Sequence, residues 1–217
     1  MITTEQNTER QLQRLAAQRY LYSMVKCIFG WQLFFGGLLT VIFAFLVVID
    51  SSFKILAVSW GILITLIDIF WLTPWQNRLK NSAAKIQEIF DCDVLELPWN
   101  KLKAGKRPDA ELVKELSEKY AKKPLKNSPL ENWYDHAEID SIPIHITRIA
   151  CQRTNLWWDS KQRRSYAHYI ILIVSLIFIV VLGLSLKDGF SMENFIMRVI
   201  APLSPVFLLA LQRHLDT

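Results

Sequence analysis

Four stretches of the chain are apolar at nearly every position. Residues 28–49 (IFGWQLFFGGLLTVIFAFLVVI) and 54–73 (KILAVSWGILITLIDIFWLT) come first, and residues 169–186 and 190–211 form a second pair. At about 1.5 Å of rise per residue, a helix of about 20 residues is as long as the hydrocarbon core of a bilayer is thick. Because these stretches are apolar on all sides, core helices of a soluble bundle explain them poorly. The pattern predicts four transmembrane helices in two hairpins.

The polar segments between these stretches show mostly helical periodicity. Thr73 and Pro74 have the character of an N-cap and a first helical position, which predicts a helix from there to Asp91. Pro98, Gly105 and Pro108 then predict a loop over residues 93–109. The remaining polar elements are an amphipathic helix from Asp109 to about Lys122, a linker over residues 122–135, and a long helix from about Ile142 that continues into the third apolar stretch.

The distribution of lysine and arginine predicts the orientation, because positively charged loops are retained in the cytoplasm. Residues 1–27 carry four such side chains and residues 74–168 carry 17, whereas the turns at residues 50–53 and 187–189 carry only Lys187. Both termini and the central domain of a multi-pass membrane protein are therefore expected in the cytoplasm. The predicted domains are an amphipathic helix (1–27), a first hairpin (28–73), a helical cytoplasmic domain (74–167), a second hairpin (168–211) and the start of a cytoplasmic tail (212–217).

The composition of the chain argues against several classes of protein. Hydrophobic residues make up 52% of the chain, which is more than a soluble surface allows, and an apolar first helix without a following cleavage site is not a signal peptide. The three cysteines are far apart, and the four histidines show no metal-binding spacing. No nucleophile motif or phosphate-binding glycine loop is present. We expect a non-enzymatic protein without catalytic residues, metal or cofactor.

Polar side chains inside the apolar stretches are candidates for a conduction path, because charges near the bilayer centre are costly and usually face a bundle interior or water. Asp68 lies deep in the second stretch, and Arg198 lies in the first half of the fourth. An alternative for Arg198 is that it reaches the outer surface beside Glu193 and Asn194. The predicted pore or gating residues are Asp68, Glu193, Asn194, Arg198 and Pro202.

A basic and aromatic segment precedes the third apolar stretch. Arginine binds phosphate oxygens with two donors, asparagine can bind a base edge, and tryptophan offers a stacking face. The predicted nucleotide-binding residues are Arg148, Gln152, Arg153, Asn155, Trp157, Trp158, Lys161, Arg163 and Arg164. Two alternatives remain open: cations near the headgroups anchor the helix to anionic lipid, or the tryptophans fill a helix interface and the arginines pair with acidic residues.

Three polar blocks resemble the SMODS-associating four-transmembrane effector family of bacterial antiviral defence. They are RQLQRLAAQRYLYSMVK, LTPWQNRLKNSAAKIQEIFDCDVLELPWN and CQRTNLWWDSKQRRSYAHY, and the resemblance extends over essentially the whole chain. It implies a membrane effector of antiphage defence in the bacterial inner membrane. A partner nucleotidyltransferase would make the nucleotide that controls it. The output that it implies is membrane disruption or ion leakage.

Together these observations favour a homo-oligomeric ion channel or pore that a nucleotide or short oligonucleotide controls. One protomer of four helices has little room for a hydrated lumen, so the pore should form between subunits, with four subunits as our expectation. The alternative is a membrane-anchored sensor or scaffold that binds a soluble partner and conducts nothing.

Overall fold

The computed structural model describes residues 2–122, 130–134, 140–186 and 191–215. The described residues contain no strand, and the expected all-α fold is confirmed. In chain order the α-helices are α1 (Ile2–Glu5), α2 (Glu9–Gln32), α3 (Leu39–Ile49), α4 (Lys54–Ile67), α5 (Thr73–Val94), α6 (Lys101–Ala104), α7 (Ala110–Lys122), α8 (Ile144–Leu186), α9 (Met192–Phe195) and α10 (Ala201–Leu215). Three π-helical segments (Leu33–Leu38, Asp68–Leu72 and Ile196–Ile200) and one 3-10 turn (Ser51–Phe53) connect some of them.

The chain forms two compact units. We call them the polar unit (Met1–Cys27 and Trp75–Leu156) and the apolar unit (Ile28–Pro74 and Trp157–Thr217). Helix α8 runs without interruption from Ile144 to Leu186, as the sequence pattern predicted. Its first part, as far as Leu156, therefore belongs to the polar unit and the rest to the apolar unit.

The polar unit has a core built around Phe90 of α5. The ring of Phe90 is fully buried and stacks on the ring of Tyr134, with 6.0 Å between centroids. Leu15 of α2 and Cys151 of α8 are buried in the same cluster. Burial of an aromatic side chain of this size stabilises a fold by about 2–3 kcal/mol. This cluster therefore holds α2, α5 and α8 together.

The core of the apolar unit consists of small and branched side chains. Ala44 of α3, Val181 of α8 and Leu203 of α10 are buried against one another. The outer surface, by contrast, carries large apolar side chains such as Ile55, Trp71 and Ile179, each at least 65% exposed. Such a surface is stable in lipid and would aggregate in water.

Among the described residues, three helical segments are long and apolar enough to cross a membrane, which agrees with a membrane protein. They are Glu9–Val47, Ser51–Val94 and Ile144–Gly183, each including its polar extension. The fourth predicted span, residues 190–211, overlaps a shorter apolar helix, Leu203–Gln212. The fourth crossing and the orientation stay predictions.

The helix predicted from Thr73 and Pro74 to Asp91 is present as α5, but Thr73 is not its N-cap, because no free N-terminus lies there. The helix continues from α4 into α5 through the π-helical segment Asp68–Leu72, and the amide of Thr73 donates to the carbonyl of Asp68, five residues back. Proline lacks an N–H and crowds the carbonyl four residues before it, and a π turn at this point changes the hydrogen-bond register. The wide turn therefore lets Pro74 lie inside a continuous helix.

The structure differs from the prediction for one loop and agrees with it for another. Part of the predicted linker belongs to the core, because Tyr134 is only 3% exposed and donates a hydrogen bond to Asp91. The first predicted turn, residues 50–53, is present, and the carboxylate of Asp50 accepts there from the amide of Ser52 at 2.8 Å. The second predicted turn, residues 187–189, lies outside the described residues.

Candidate functional site

Arg148 of α8 binds the backbone of the loop that follows α5. Its Nε donates to the carbonyl oxygen of Leu95 at 2.6 Å, and its Nη2 donates to the carbonyl oxygen of Glu96 at 2.8 Å. Glu96 has a positive φ of 51°, and its carboxylate lies 3.5 Å from the same guanidinium. Two carbonyls and a carboxylate thus already engage Nε and Nη2 of a guanidinium that the sequence suggested for a nucleotide phosphate.

Asn155 also has an internal partner. Its Nδ2 donates to the hydroxyl of Tyr134 at 3.0 Å, and that hydroxyl donates to Oδ1 of Asp91 at 2.6 Å. Asn155, Tyr134 and Asp91 all belong to the polar unit, outside the apolar stretches. Burial raises the pKa of Asp91 to about 7, although the Tyr134 hydrogen bond opposes the shift, and nearby Glu88 raises it further. Asn155 therefore positions a tyrosine against a carboxyl group that holds its proton near neutral pH.

Gln152 and Arg153 are exposed on α8 in the polar unit. Three apolar side chains of the same helix, Ile146, Ile149 and Leu156, are exposed with them, the last two by 67% and 71%. A surface that combines apolar residues with polar hydrogen-bonding groups is typical of a contact with another molecule. Of the predicted nucleotide-binding residues in this unit, Gln152 and Arg153 are the accessible ones.

The remaining predicted binding residues lie on the part of α8 that belongs to the apolar unit. Trp157 and Trp158 are about half exposed and meet edge to face, with 4.9 Å between ring centroids. Nζ of Lys161 lies 4.7 Å from the centroid of the Trp157 ring, a cation–π contact. Arg163 forms an ion pair with Asp159 one turn earlier, at 2.9 Å, and Arg164 is exposed. Paired tryptophans with neighbouring cations are compatible both with a lipid headgroup region and with nucleotide stacking.

Asp68 lies at the centre of a buried hydrogen-bonded group in the apolar unit. Its side chain is 4% exposed, and its Oδ1 accepts from Nε2 of Gln32 at the end of α2. Its Oδ2 accepts from Nε2 of Gln212 on α10 at 3.0 Å and from the hydroxyl of Thr73 at 3.3 Å. Gln212 also donates to that hydroxyl at 3.1 Å. Donors from α2, from α10 and from the helix of Asp68 itself therefore meet at one buried carboxylate.

Comparison with known proteins identifies the family. A sequence profile described as the SMODS-associating 4TM effector domain matches residues 1–217, which is the entire chain. The chain belongs to this family. The resemblance seen in the three polar blocks is thereby confirmed.

A relative of the SMODS-associating effector comes from Bacillus cereus (strain VD146). It is 22% identical over 204 residues, which cover 91% of this chain and 67% of the relative, and it is described as a probable CBASS effector molecule. No solved structure matches the chain significantly. Family membership and the long apolar helices support a membrane effector of antiviral defence.

The other pore residues predicted for this SMODS-associating effector lie at its carboxyl end. Glu193 is exposed in the first turn of α9. The side chains of Asn194, Arg198 and Pro202 are outside the described part of the structure, so their predicted roles stay predictions.

Sequence reasoning missed the partners of Asp68 and of Asn155. Gln32 and Gln212 are far apart in the chain, and each is a single polar position near the end of an apolar stretch, where glutamine is unremarkable. Tyr134 lies in a segment with the composition of a linker. The sequence indicated only that Asp68, a carboxylate in an apolar stretch, needs hydrogen-bond donors. It did not indicate which residues supply them.

Proposed function

We propose that this effector assembles with copies of itself into a pore in the inner membrane, with four subunits and both termini in the cytoplasm, and that a nucleotide or short oligonucleotide made by a partner nucleotidyltransferase controls its opening. The observation that carries the proposal is helix α8. One uninterrupted helix of 43 residues includes both the polar residues that contact the loop after α5 and the apolar residues of the third stretch. Because a helix is stiff over this length, a change at its first turns is transmitted along it.

The Asp68 group supports a conducting role rather than a passive anchor. A membrane anchor needs no carboxylate, and a buried one costs several kcal/mol unless donors satisfy it. Here Gln32 and Gln212 satisfy it from two other helical segments. Because its side chain is buried inside the protomer, the carboxylate would act on a narrow path between subunits through its negative field and not by lining that path.

The exposed face of α8 in the polar unit supports assembly. Ile149 and Leu156 are apolar and largely exposed, and they flank the exposed Gln152 and Arg153. In this proposal the apolar side chains contact a second copy of the chain, and Gln152 and Arg153 contact the nucleotide. Trp157, Trp158, Lys161 and Arg164 extend that contact or anchor the helix to lipid.

Current recording in planar bilayers tests the proposal. We expect purified protein to conduct in one state of the nucleotide ligand and not in the other, with the ligand identified by mass spectrometry of nucleotides that copurify. The same exposed face of α8 would also suit a soluble partner, which is the second candidate function. Absence of current at every ligand state and voltage, together with a monomeric protein in detergent, would favour that scaffold.

A further inference from the structure

A second basic and aromatic site lies in the polar unit, in the loop between α5 and α7. A cleft of about 620 Å³ is lined by Trp99, Lys101, Gly105, Lys106 and Arg107. The guanidinium of Arg107 lies over the indole of Trp99, 5.3 Å from the ring centroid. This cation–π contact places a positive charge against one face of the indole.

The backbone around the cleft is held by local hydrogen bonds. The indole N–H of Trp99 donates to the carbonyl oxygen of Gly105 at 3.0 Å, which closes the loop across α6. The side chain of Asn100 accepts from the amides of Leu102 and Lys103 at 3.1 and 3.2 Å and caps that helix. Gly105 has a φ of 68°, which is the left-handed region where glycine is favoured. The loop therefore has its shape before any ligand arrives, which lowers the entropic cost of binding.

Positive charge dominates this cleft. Lys101, Lys106 and Arg107 line it, and Nζ of Lys85 lies 3.7 Å from the position that a β-carbon on Gly105 would take. Within the described part of the chain, the ion pair that involves these cations joins Lys106 to Asp109 at 3.0 Å, and the two side chains are 84% and 65% exposed. An exposed pair of this kind contributes little to stability and exchanges readily for another anion. The described side chains around the cleft thus leave its positive charge largely unbalanced.

We propose that this cleft binds phosphate groups. Two lysines and an arginine that line one cleft match the charge of phosphate oxygens and can donate hydrogen bonds to them. An open cleft of this volume admits a phosphate with part of the group attached to it. The phosphate comes either from a nucleotide or from an anionic lipid headgroup. The nucleotide source rests on the function proposed above, whereas the site itself does not, and it shares no side chain with the α8 residues.

The cleft is connected to α8 through a short piece of backbone. Leu95 and Glu96, whose carbonyls accept from Arg148, come shortly before Trp99 in the chain. Occupation of the cleft would draw Lys101 and Arg107 inward and stiffen this segment. Arg148 would then carry the change to the amino-terminal turns of α8.

The test uses full-length protein in nanodiscs, with calorimetry of inorganic pyrophosphate as the probe. We expect Arg107→Gln and Lys101→Gln each to weaken pyrophosphate binding by about tenfold, the effect of one lost charge-assisted contact. Lys103→Gln is the matched control, because Lys103 lies on the same short helix but does not line the cleft. It should change the affinity less than twofold. Nanodiscs of phosphatidylcholine, with and without phosphatidylglycerol, distinguish the two phosphate sources: competition by the anionic lipid indicates a headgroup, and its absence indicates a free ligand.

Three results would overturn the cleft as the site: no pyrophosphate binding, equal losses in Lys103→Gln and Arg107→Gln, or a loss in Arg153→Gln without one in Arg107→Gln. The last would place phosphate on α8 and leave the proposed function standing. Conversely, cleft-dependent binding by a protein that never conducts would refute the pore and retain the cleft.

Discussion

The guanidinium of Arg148 donates to the carbonyl oxygen of Leu95 across 2.6 Å, which ties the start of α8 to the loop after α5. A second donor of the same side chain reaches the carbonyl of Glu96. Arginine makes both contacts with one planar group, and lysine cannot reproduce that geometry. Even the conservative substitution of Arg148 by lysine should therefore have a large effect on stability.

We expect Arg148→Lys to lower the free energy of unfolding of the effector by about 1–3 kcal/mol, because at least one carbonyl of the α5 loop loses its donor. Denaturant titration in detergent measures this. Arg153→Lys is the control, since Arg153 is exposed on the same helix, and it should change stability by less than about 0.5 kcal/mol. Equal effects of the two substitutions would contradict the role given to Arg148.

Asp91 should make stability depend on pH. Its native pKa is raised to about 7 from an ordinary value of 3.8, so the native carboxyl keeps its proton over a range in which the unfolded chain has lost it. The contribution of this group is therefore greatest below about pH 4 and is lost as pH rises toward about 7, with a slope of at most about 1.4 kcal/mol per pH unit.

Asp91→Asn should flatten that dependence, because asparagine does not titrate and still accepts from the hydroxyl of Tyr134. The measurement is the free energy of unfolding at several pH values in detergent. Asp109→Asn, at an exposed carboxylate, should leave the slope as it is. Parallel curves for the wild type and Asp91→Asn across the acidic range would contradict the prediction.

The Asp68 group should hold α10 in place. Gln212→Leu removes a donor that reaches both Asp68 and Thr73, and we expect a loss of about 0.5–2 kcal/mol, the usual range for hydrogen bonds inside membrane proteins. Leu211→Ala changes an exposed neighbour and should have little effect.

Asp68 itself tests the proposed pore. Asp68→Asn should change conductance or ion selectivity with the oligomer intact. Loss of the oligomer with unchanged conductance in the remaining assemblies would assign Asp68 to packing alone.

The exposed part of α8 either binds the nucleotide or anchors the helix to lipid, and substitutions distinguish these two interpretations. If its exposed residues bind the nucleotide, Arg153→Ala and Trp157→Ala should each weaken that binding by about 1–3 kcal/mol, and added salt should weaken it further. Lys161→Arg keeps the positive charge and should leave membrane anchoring unchanged. Unchanged nucleotide affinity in both alanine variants would leave this segment as an anchor.

Cysteine labelling tests the orientation. A cysteine placed at Ser51, in the turn between α3 and α4, should react with an impermeant reagent from the periplasmic side, and one placed at Lys106 should not. The reverse pattern would invert the topology deduced from the lysine and arginine distribution.

Local sequence properties were enough to predict most helices. Helix α8 could be predicted as continuous because residues 144–182 contain no proline or glycine, and α7 because its apolar positions recur at helical spacing. The break at residues 93–109 was also evident, although α6 within it was missed, because a single turn capped by Asn100 has no periodicity. Helix boundaries and types here depend on contacts within a few residues.

The candidate sites could be predicted only in part, because their geometry depends on contacts between distant residues. The sequence shows that Arg148 and Asn155 can bind a ligand but does not show that Leu95 and Tyr134 already use them. In the same way, Asp68 was recognisable as an expensive charge, whereas its partners on α2 and α10 were not. Side-chain chemistry limits what a residue can bind, and only the fold determines which partner it has.

The wide turn at Asp68–Leu72 shifts the phase of the helix that contains it. In a regular α-helix each residue advances by about 100°, so two residues five apart point in different directions, yet here the hydroxyl of Thr73 comes within 3.3 Å of the Asp68 carboxylate. A spacing of five residues thus places two polar side chains on the same side of one helix. Insertion or deletion of a single residue between Asp68 and Thr73 would remove this contact, because the wide turn matches that spacing and no other.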